Sequence, residues 1–335
     1  MGARSPAQRD DTTARLVAIR PGALGDALLT LPTLAWVRRH RANTHVTLVA
    51  RADALPLARA AGLAGETYRY DDPAWSALFA AHTSTAGLAS QVCAGANVIA
   101  WIADDDGDIR RNLLALGARA AVTAPGKPRP TARTHMALQL ARPLAAFGCR
   151  SPRSVDDLMA RFPPLEPGVE SQRRATRWLR ERALDGRRLV AVHPGSGGAA
   201  KRWPPHHFAA LMDRIAGAGA TPLLIEGPQD AEATRETRAA RTLPRDDPRC
   251  TARELPITDL AALLPRCVAY VGNDSGVTHL AALAGCPTVA IFGPTNPAVW
   301  RPLGQRVSTI RAPSRQAADV PFDAVWEALG ALMSR

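Results

Sequence analysis

The chain has 335 residues, of which 46% are hydrophobic and 21% charged, and its formal net charge at pH 7 is +12. This balance is typical of a globular protein with room for two α/β domains, and no run approaches the roughly 20 uninterrupted apolar residues that a membrane helix requires. Five cysteines without a C-x-x-C pair argue against both a disulfide framework and a structural zinc site.

The positive charge favours an anionic partner, such as a phosphorylated substrate, an anionic lipid headgroup or nucleic acid. Aromatic residues make up only 5% of the chain, and no motif interleaves basic with aromatic residues, so nucleic acid is the weakest of the three. The first fourteen residues are polar and lack the apolar core of a secretory signal. We therefore expect a cytoplasmic protein with no nucleic-acid partner, and peripheral contact with the inner membrane surface stays open.

The amino-terminal half begins with a strand, a glycine-containing loop and a helix. Arg15 to Arg20 has the apolar run of a buried strand, the loop reads PGALGD, and the helix is predicted from Ala27 to His40. The glycines let the backbone approach a ligand closely at the carboxyl edge of the sheet. Asp26 has two interpretations, a helix cap or a functional carboxylate in a cleft. Because its charge repels phosphate, the loop is not an ordinary dinucleotide-binding fingerprint.

Strands predicted at residues 45–50, 66–70 and 97–103 continue the β-α alternation. Four aspartates follow among residues 104–108, and a metal site of the Asp-x-Asp or calcium-loop kind is an alternative interpretation of them. A calcium loop would carry a glutamate at position 115, which is Ala115.

Proline-rich segments divide the chain. A mobile loop is predicted at residues 124–130, and the prolines between Pro152 and Pro167 break both periodicities, as an interdomain linker does. We expect a first domain at residues 13–160, a second at 168–318 and a terminal helix within 319–335.

The second domain is predicted to open like the first, with a strand at Arg188–His193 and a glycine-serine loop that contains Lys201. Such a loop can wrap a phosphate with backbone N–H groups, and Lys201 can reach a phosphate oxygen as a point charge. The alternative is a solvated surface lysine. Only two of the 42 basic residues are lysines, which favours a function for this one. A further strand, Thr221–Glu226, leads into a turn at residues 227–232.

The most informative segment runs from Cys267 to Pro297. Apolar runs at residues 267–271 and 288–292 predict buried parallel strands, and the capping sequence Asn-Asp-Ser-Gly at residues 273–276 begins a helix between them. The amino-terminus of that helix presents unpaired N–H groups and the positive end of the helix dipole, and both suit a phosphate.

Three polar side chains of this helix, Ser275, Thr278 and His279, are candidate donors to the same phosphate. Taken one at a time they also have structural interpretations. Asp274 and Ser275 can cap the helix, and His279 can pack on its inner face.

Four segments carry a combined pattern: GALGD with ALLTLP, the loop GSGGAAKRWP, the turn EGPQD, and NDSGVTH with a later GPT. Together they resemble glycosyltransferase family 9, the ADP-heptose:lipopolysaccharide heptosyltransferases, from about Arg15 to Gly304. The resemblance implies an α/β fold with two Rossmann-like domains facing a cleft, the GT-B architecture. It also implies that the terminal helix crosses back to the first domain.

The resemblance implies an inverting, metal-independent transfer of heptose from ADP-heptose to a sugar acceptor, expected in the lipid-linked inner core of lipopolysaccharide. It implies a monomeric enzyme without a cofactor or metal ligands, in which Asp26 is the catalytic base and Lys201 stabilises the leaving diphosphate. The residues implied for the donor nucleotide are Ser196, Glu226, Gln229, Asp274, Ser275, Gly276, Val277, Thr278 and His279. Those implied on the acceptor side are Gly25, Arg110 and Arg111.

Two other functions stay open. A nucleotide-sugar 2-epimerase has the same architecture and needs no acceptor. A non-catalytic nucleotide-sugar binding protein is the other alternative, although a protein that only binds phosphates has no reason to keep Asp26 in the cleft. Either Glu226 or Gln229 is expected to meet the ribose.

Overall fold

The computed structural model of the chain describes residues 14–81, 86–160, 162–242 and 247–334. Residues 1–13, which make up nearly all of the polar amino-terminal segment considered above, lie outside the described residues, and so does residue 335. No helix in the described ranges is long and apolar enough to cross a membrane.

The amino-terminal half contains a five-stranded parallel sheet with the order β3-β2-β1-β4-β5. Its central strand β1 is buried on both faces, as the apolar run LVAI requires in a parallel sheet covered by helices. The strands are β1 (Ala14–Arg20), β2 (Thr44–Ala50), β3 (Glu66–Arg69), β4 (Asn97–Ala100) and β5 (Ala120–Thr123).

The helix predicted from Ala27 is two helices. Pro32 occupies the second position of the later one, where a missing N–H costs no intrahelical bond, so a new helix starts there. The helices of this half are α1 (Leu24–Leu28), α2 (Leu31–His40), α3 (Leu55–Ala60), α4 (Leu88–Cys93), α5 (Asp108–Ala115), α6 (Met136–Ala141) and α7 (Val155–Met159), with 3₁₀ turns at Pro73–Phe79 and Arg142–Phe147.

The carboxyl-terminal half contains a six-stranded parallel sheet with the order β11-β10-β9-β6-β7-β8. Its strands are β6 (Leu189–His193), β7 (Thr221–Glu226), β8 (Thr251–Arg253), β9 (Ala269–Asn273), β10 (Thr288–Phe292) and β11 (Val307–Arg311). Its helices are α8 (Val169–Glu181), α9 (Pro205–Gly217), α10 (Ala231–Ala239), α11 (Ile257–Leu263), α12 (Gly276–Leu283), α13 (Pro297–Trp300) and α14 (Phe322–Met333), with 3₁₀ turns at Ala199–Lys201, Pro248–Cys250, Leu264–Arg266 and Ala317–Asp319.

The strand order of each sheet reverses beside its first strand. In the first sheet β1 lies between β2 and β4, and in the second β6 lies between β9 and β7, with His193 paired to Gly272. On the two sides of such a point, the loops that follow the strands run in opposite directions. A crevice that can bind a ligand therefore opens between them, at the carboxyl ends of the strands. The two crevices face each other, so the fold is the α/β arrangement of two Rossmann-like domains across a cleft.

The two halves touch directly through α1 and α12. A Cβ atom on Gly276 would lie 2.8 Å from the Cβ of Leu24, so glycine is required there for the helices to approach this closely. Beyond the cleft, the Nε2–H of His135 donates to the carbonyl of Arg301 over 2.9 Å, and the N–H of Leu165 donates to the carbonyl of Leu283 over 2.7 Å.

The terminal helix corrects one expectation. α14 packs on β9, β10 and β11 and beside α9, and Val325 and Leu329 are buried in the core of the second sheet. It therefore covers the outer face of the second domain instead of crossing back to the first.

Candidate active site between the two domains

A cleft of about 850 Å³ lies between the domains, and both halves contribute to its walls. We call the side formed by the loops of the first sheet the first wall, and the side formed by the loops of the second sheet the second wall. The first wall includes Leu24, Gly25 and Asp26, and the second includes Lys201 and Ser275.

Asp26 is held in the first wall by two donors. Nη2 of Arg20 donates to its Oδ1 over 3.0 Å, and the N–H of Ala23 donates to its Oδ2 over 2.9 Å. The carboxylate is 17% exposed, whereas the Arg20 side chain below it is 2% exposed. Burial lowers the pKa of Arg20 and the charge of Asp26 raises it, but a guanidinium stays charged at any physiological pH. Asp26 therefore presents a carboxylate of fixed orientation to the cleft.

Glycine shapes the loop beneath this carboxylate. Gly22 has a φ of 126°, a conformation that favours glycine, and a Cβ atom there would lie 2.5 Å from Oδ2 of Asp26. Behind Arg20, a Cβ atom on Gly126 would lie 2.7 Å from Nη1 of Arg20 and 2.4 Å from the carbonyl oxygen of Trp101. The proline-rich loop thus closes over the buried arginine.

Asp274 organises the second wall. Its Oδ2 accepts from Nζ of Lys201 over 2.8 Å and from the hydroxyl of Thr295 over 2.6 Å, and its carbonyl accepts from the hydroxyl of Ser196 over 3.0 Å. The carboxylate is 7% exposed and the lysine 34%. Lys201 has three N–H donors, so the pairing with Asp274 leaves others for a ligand in the cleft.

The amino-terminus of α12 differs in one detail from the expectation. Ser275 caps the helix, because its Oγ accepts from the N–H of Thr278, and Ser275, Gly276 and Val277 line the cleft. Thr278 does not line it. Its hydroxyl lies inside the domain, where it donates to the carbonyl of Asn273 and contacts the hydroxyl of Tyr270 over 2.9 Å. The structure therefore does not place the Thr278 hydroxyl at the cleft, where the sequence predicted a donor.

His279 lies where the two walls meet. It is buried, its Nε2 is 4.0 Å from Oδ1 of Asp274, and a Cβ atom on Gly25 would lie 3.2 Å from its Cδ2. Burial lowers the pKa of His279, although the nearby charges of Asp274 and Asp26 oppose this shift. Its Nδ1 has no hydrogen-bond partner among the described residues. The ring of His279 thus packs at the floor of the cleft, and its Nδ1 is not engaged by the described residues.

A second polar chain lies below the loop that follows β6. Nε2 of His193 is 2.9 Å from Oδ2 of Asp230, and its Nδ1 is 3.3 Å from Oγ of Ser275. Burial raises the pKa of Asp230, but the hydrogen bond and charge of His193 and the N–H of Gly227 outweigh it and hold the pKa below its ordinary value. A Cβ atom on Gly195 would lie 1.9 Å from Oδ1 of Asp230, so only glycine fits there.

The far end of the second wall is mostly apolar. Glu226 and Gln229 both line the cleft, but Glu226 is buried and its Oε1 is 3.1 Å from Nε of Arg253, whereas Gln229 is exposed. Apolar side chains from β7, β8, α11 and the segment before it continue this surface. They are Ile225, Ala252, Leu255, Ile257 and Leu260.

The structure does not bring Arg110 and Arg111 to the cleft. Nε of Arg110 donates to the carbonyl of Ala121, and Arg111 pairs with Asp108 on the surface of α5. Both oxygens of Asp104 accept from N–H groups of the first turn of α5, at 2.9 Å each, and these bonds outweigh burial to keep its pKa low. Across the described ranges, no group of three or more His, Cys, Asp or Glu side chains could hold a metal ion.

Several cleft residues were not predicted. Arg51, Lys127 and Arg129 line the first wall, and His193 and Asp230 support the second. Lys127 is one of the two lysines of the chain, which is a signal that could have identified it. His193 ends a predicted strand at the same sheet edge as Ser275, a placement that could have suggested their contact.

Part of the chain is similar in sequence to known proteins. The family model of glycosyltransferase family 9 (heptosyltransferase) matches residues 131–322, more than half of the chain. Lipopolysaccharide heptosyltransferase 2 of Salmonella typhimurium is 35% identical over 127 residues, which are 37% of this chain and 36% of that protein. Lipooligosaccharide heptosyltransferase 2 of Haemophilus influenzae is 32% identical over 163 residues, 47% of this chain and 46% of that protein. The chain thus spans less than half the length of these relatives.

Solved structures match over nearly the whole chain. A glycosyl transferase family 9 protein from Veillonella parvula has a TM-score of 0.78 at 19% identity, with 98% of this chain and 99% of that chain covered. The Escherichia coli ADP-heptose lipopolysaccharide heptosyltransferase II has a TM-score of 0.72 at 20% identity, with 96% and 98% covered. At these identities the likeness establishes the fold.

Proposed function

The chain belongs to glycosyltransferase family 9, and from this premise we propose that it transfers a heptose from ADP-heptose to a sugar acceptor of the lipopolysaccharide inner core. The observation that carries the proposal is the opposition of one oriented carboxylate, Asp26, to a cationic helix start with Lys201 across a single cleft. A base on one wall and a diphosphate site on the other are what sugar transfer from a nucleotide requires.

The donor nucleotide binds the second wall in this account. The apolar surface around Ile225, Ala252 and Leu255 suits the flat adenine ring, and Glu226 and Gln229 stand where ribose hydroxyls follow. Because Arg253 already holds one oxygen of the buried Glu226, that carboxylate is fixed in place to accept from a ribose hydroxyl. Gln229 has no such constraint. The heptosyltransferase II structure, whose name includes ADP-heptose, has this fold.

Asp26 is the general base in this proposal. An acceptor hydroxyl is a poor nucleophile, and removal of its proton as the new bond forms contributes a factor of about 10² to 10⁴ in rate. Each oxygen of Asp26 accepts one hydrogen bond from the protein and keeps a further lone pair. The carboxylate can therefore hold its orientation and still accept the proton. Attack from the face opposite the leaving diphosphate inverts the anomeric carbon.

The leaving diphosphate gathers negative charge that the second wall is built to receive. The first residues of α12 and Lys201 line the same cleft, and Asp274 holds the ammonium of Lys201 beside the helix start. These groups supply the neutralisation that a metal ion supplies in other nucleotide-sugar enzymes. The proposed transfer is accordingly metal-independent.

The acceptor binds the first wall, beside Gly25 and Asp26. Arg51, Lys127 and Arg129 take the place that the sequence assigned to Arg110 and Arg111, since these three line the cleft. Arg51 is held by Asp53, whose oxygens lie 2.8 to 2.9 Å from its Nε. The other two cations are available to an acceptor that carries carboxylate or phosphate groups.

We further propose that the first domain comprises residues 13–160 and the second residues 168–318, that the enzyme is a monomer, and that it meets its lipid-linked acceptor at the cytoplasmic face of the inner membrane. The relatives' names, which refer to lipopolysaccharide and lipooligosaccharide, support the acceptor class.

The test is a transfer assay with ADP-heptose and inner-core acceptors that end in different sugars, run with and without EDTA. The proposal expects a heptosylated product of inverted anomeric configuration at equal rates in both conditions. Interconversion of the free nucleotide sugar without an acceptor would support an epimerase instead. ADP-heptose binding with no reaction of any kind would support a non-catalytic binding protein, and dependence of transfer on a divalent cation would contradict the metal-free route.

A further inference from the structure

One buried guanidinium lies behind the first wall of the cleft. Arg20 ends β1, and its side chain is only 2% exposed. Its Nη2 donates to Oδ1 of Asp26 over 3.0 Å, and its Nη1 donates to the carbonyl of Pro21 over 3.3 Å. Its Nε has no hydrogen-bond partner among the described residues. Because a buried guanidinium stays charged, Arg20 depends on the carboxylate of Asp26 as its counter-charge.

The loop between β5 and α6 rests on this guanidinium. We call residues 124–133 the cationic loop, because Lys127 and Arg129 in it are exposed and line the cleft. Gly126 brings the backbone of the loop against the side chain of Arg20, and a Cβ atom on Gly126 would lie only 2.7 Å from its Nη1. A glycine is therefore required where the loop meets the arginine.

The contact at Gly126 leaves no room for a side chain. A Cβ atom there would also overlap the carbonyl oxygen of Trp101. This carbonyl is held in place, since the N–H of Trp101 donates to the carbonyl of Ile19 over 3.0 Å and its indole Nε1–H donates to the carbonyl of Leu140 over 3.1 Å. A side chain at position 126 would therefore displace the loop itself, and with it Lys127, which is the next residue.

The proposed reaction makes the position of the cationic loop relative to the base important. In the proposed function, Asp26 removes the proton from one hydroxyl of the acceptor, whereas Lys127 and Arg129 bind a separate, anionic group of the same molecule. The hydroxyl reacts only when it lies at the base, and an error of about 1 Å can cost about 100-fold in rate. Binding of the anionic group therefore assists transfer only if the cations and the carboxylate keep a fixed separation.

We propose that Arg20 and Gly126 are positioning residues that fix the cationic loop relative to Asp26. An acceptor that carries a carboxylate or phosphate group is then held at that group with its hydroxyl at the base. This inference rests on the proposed function, and it assigns the acceptor specificity of the first wall to two residues that act through others.

The simpler alternative is that the two contacts of Arg20 are independent. Arg20 would then only orient the base, and the cationic loop would only pack on it. In that case a change at Gly126 alters acceptor binding and leaves the rate at saturation intact, whereas a change at Arg20 alters the rate and leaves acceptor binding intact. The proposal expects both quantities to change in both variants.

The experiment measures transfer from saturating ADP-heptose to a soluble inner-core oligosaccharide that carries carboxylate groups, and it gives kcat and the acceptor KM of each variant. Gly126→Ala should lower kcat about tenfold and raise the acceptor KM about fivefold, because the displaced loop shifts its cations and no longer supports Arg20. The affinity for ADP-heptose should not change, because the second wall is untouched.

Arg20→Lys tests the same coupling from the other contact. Lysine keeps a positive charge beneath Asp26, but its compact ammonium lacks the planar fork that reaches the carboxylate, the carbonyl of Pro21 and the cationic loop together. We expect kcat and the acceptor KM to change in the same directions as in Gly126→Ala, although Arg20 is buried behind the wall. If either of the two variants does not fold, the other decides.

Three control variants separate the two effects. Gly22→Ala places a methyl group against the oxygen of Asp26 that Arg20 does not hold, and should lower kcat alone. Lys127→Ala removes a cation without moving the loop, and should raise the acceptor KM alone. Gly217→Ala adds a methyl group at the exposed end of α9, with no atom within 4 Å of it, and should match the unmodified protein.

The outcomes separate this inference from the proposed function. A raised acceptor KM at full kcat in Gly126→Ala overturns the inference, and so does an unchanged acceptor KM in Arg20→Lys. A fall in kcat with an equal loss of ADP-heptose affinity also overturns it, since the damage would then reach both walls. Each of these results leaves the proposed function intact. Absence of transfer by the unmodified protein to any inner-core acceptor overturns the proposed function, and the inference with it.

Discussion

The two walls of the cleft expose opposite charges to it. On the first wall Asp26 is the exposed member of its pair, and the positive partner, Arg20, is buried beneath it. On the second wall the order is reversed, because Asp274 is buried and Lys201 is the more exposed member. The same pair of charge types thus presents an anion to the cleft on one side and a cation on the other.

This reversal divides the work of the proposed reaction. A carboxylate that faces the cleft can remove a proton, and a cation that faces it can receive the charge of a leaving diphosphate. Changes on the first wall should therefore slow transfer without weakening the nucleotide, and changes on the second wall should weaken the nucleotide. The predictions below test this division, beginning with the largest expected effect.

Gly22→Ala should disable the first wall. A methyl group at this position meets Oδ2 of Asp26 and also strains a backbone with a φ of 126°. Displacement of a base by about 1 Å can cost about 100-fold in rate, so transfer should fall by that order. ADP-heptose affinity should not change, since Gly22 lies on the other wall.

The matched control for this change is Gly186→Ala. Gly186 has a φ of 76° and no atom within 4 Å of a would-be Cβ, so it carries the backbone strain without the contact to a base. It should lower stability and leave the transfer rate of the folded protein unchanged. Equal losses of transfer in the two variants would attribute the effect of Gly22→Ala to folding.

His135 tests whether the walls are held as one unit. Burial lowers the pKa of His135 from 6.5 to about 4, and the nearby charges of Arg301 and His279 act in the same direction. The contribution of His135 to the free energy of unfolding is therefore complete above pH 6.5 and declines as the pH falls toward 4, since the unfolded chain binds the proton more readily. The largest loss from this group is about 3 kcal/mol. H135N should lose this part of the pH dependence in urea unfolding at pH 7 and pH 5.

H135N should also cost about 1 kcal/mol at pH 7, because the bond to the carbonyl of Arg301 is lost while an asparagine still caps α6. H206N provides the comparison, as its ring is exposed. The same slope of stability against pH in H135N and in the unmodified protein would show that another group controls the acid side.

The two lysines of the chain lie on opposite walls, and replacing each by alanine compares them directly. Lys201→Ala should weaken ADP-heptose about tenfold and slow transfer, because the diphosphate loses an ammonium and Asp274 loses its partner. Lys201→Arg should recover only part of the lost affinity and rate, since a planar guanidinium places its charge differently from an ammonium. Lys127→Ala should leave nucleotide affinity unchanged and raise the acceptor KM. Unaltered nucleotide affinity in Lys201→Ala would contradict the proposal that Lys201 on the second wall binds the diphosphate.

The smallest effect is expected for the double variant Arg110→Ala and Arg111→Ala. Both residues lie on α5 outside the cleft, and the Arg111 pair with Asp108 is exposed. Transfer and acceptor KM should change by less than about twofold, as for other surface substitutions. A tenfold rise in acceptor KM would place the acceptor over α5 and contradict the first wall as drawn.

Sequence reasoning located the residues that end strands and begin helices. Asp26, Lys201 and Ser275 follow predicted strands, and parallel strands end at one sheet edge, so their convergence could be inferred. The four-segment pattern supplied the family. These features depend on local sequence and on the topology of parallel sheets.

Features that depend on packing were not recovered. The edge strands β5 and β8 have only four and three residues and too little periodicity to detect. The direction of the Thr278 hydroxyl depends on Tyr270 and Asn273, and the position of α14 depends on its packing against the second sheet. Arg110 and Arg111 were placed by resemblance alone, and Asp104, which precedes them, accepts from the N–H groups of the first turn of α5.

The most direct test of the division between the walls is Asp26→Asn, measured in one preparation for ADP-heptose affinity, melting temperature and rate of transfer at saturating donor. Asparagine preserves most of the hydrogen bonding at a cost of no more than about 1 kcal/mol, but it cannot accept the acceptor's proton. The account predicts that affinity and melting temperature change little while the rate falls by a factor of about 100 or more. Near-normal transfer, or a loss in proportion to lost folding or lost nucleotide affinity, would contradict it.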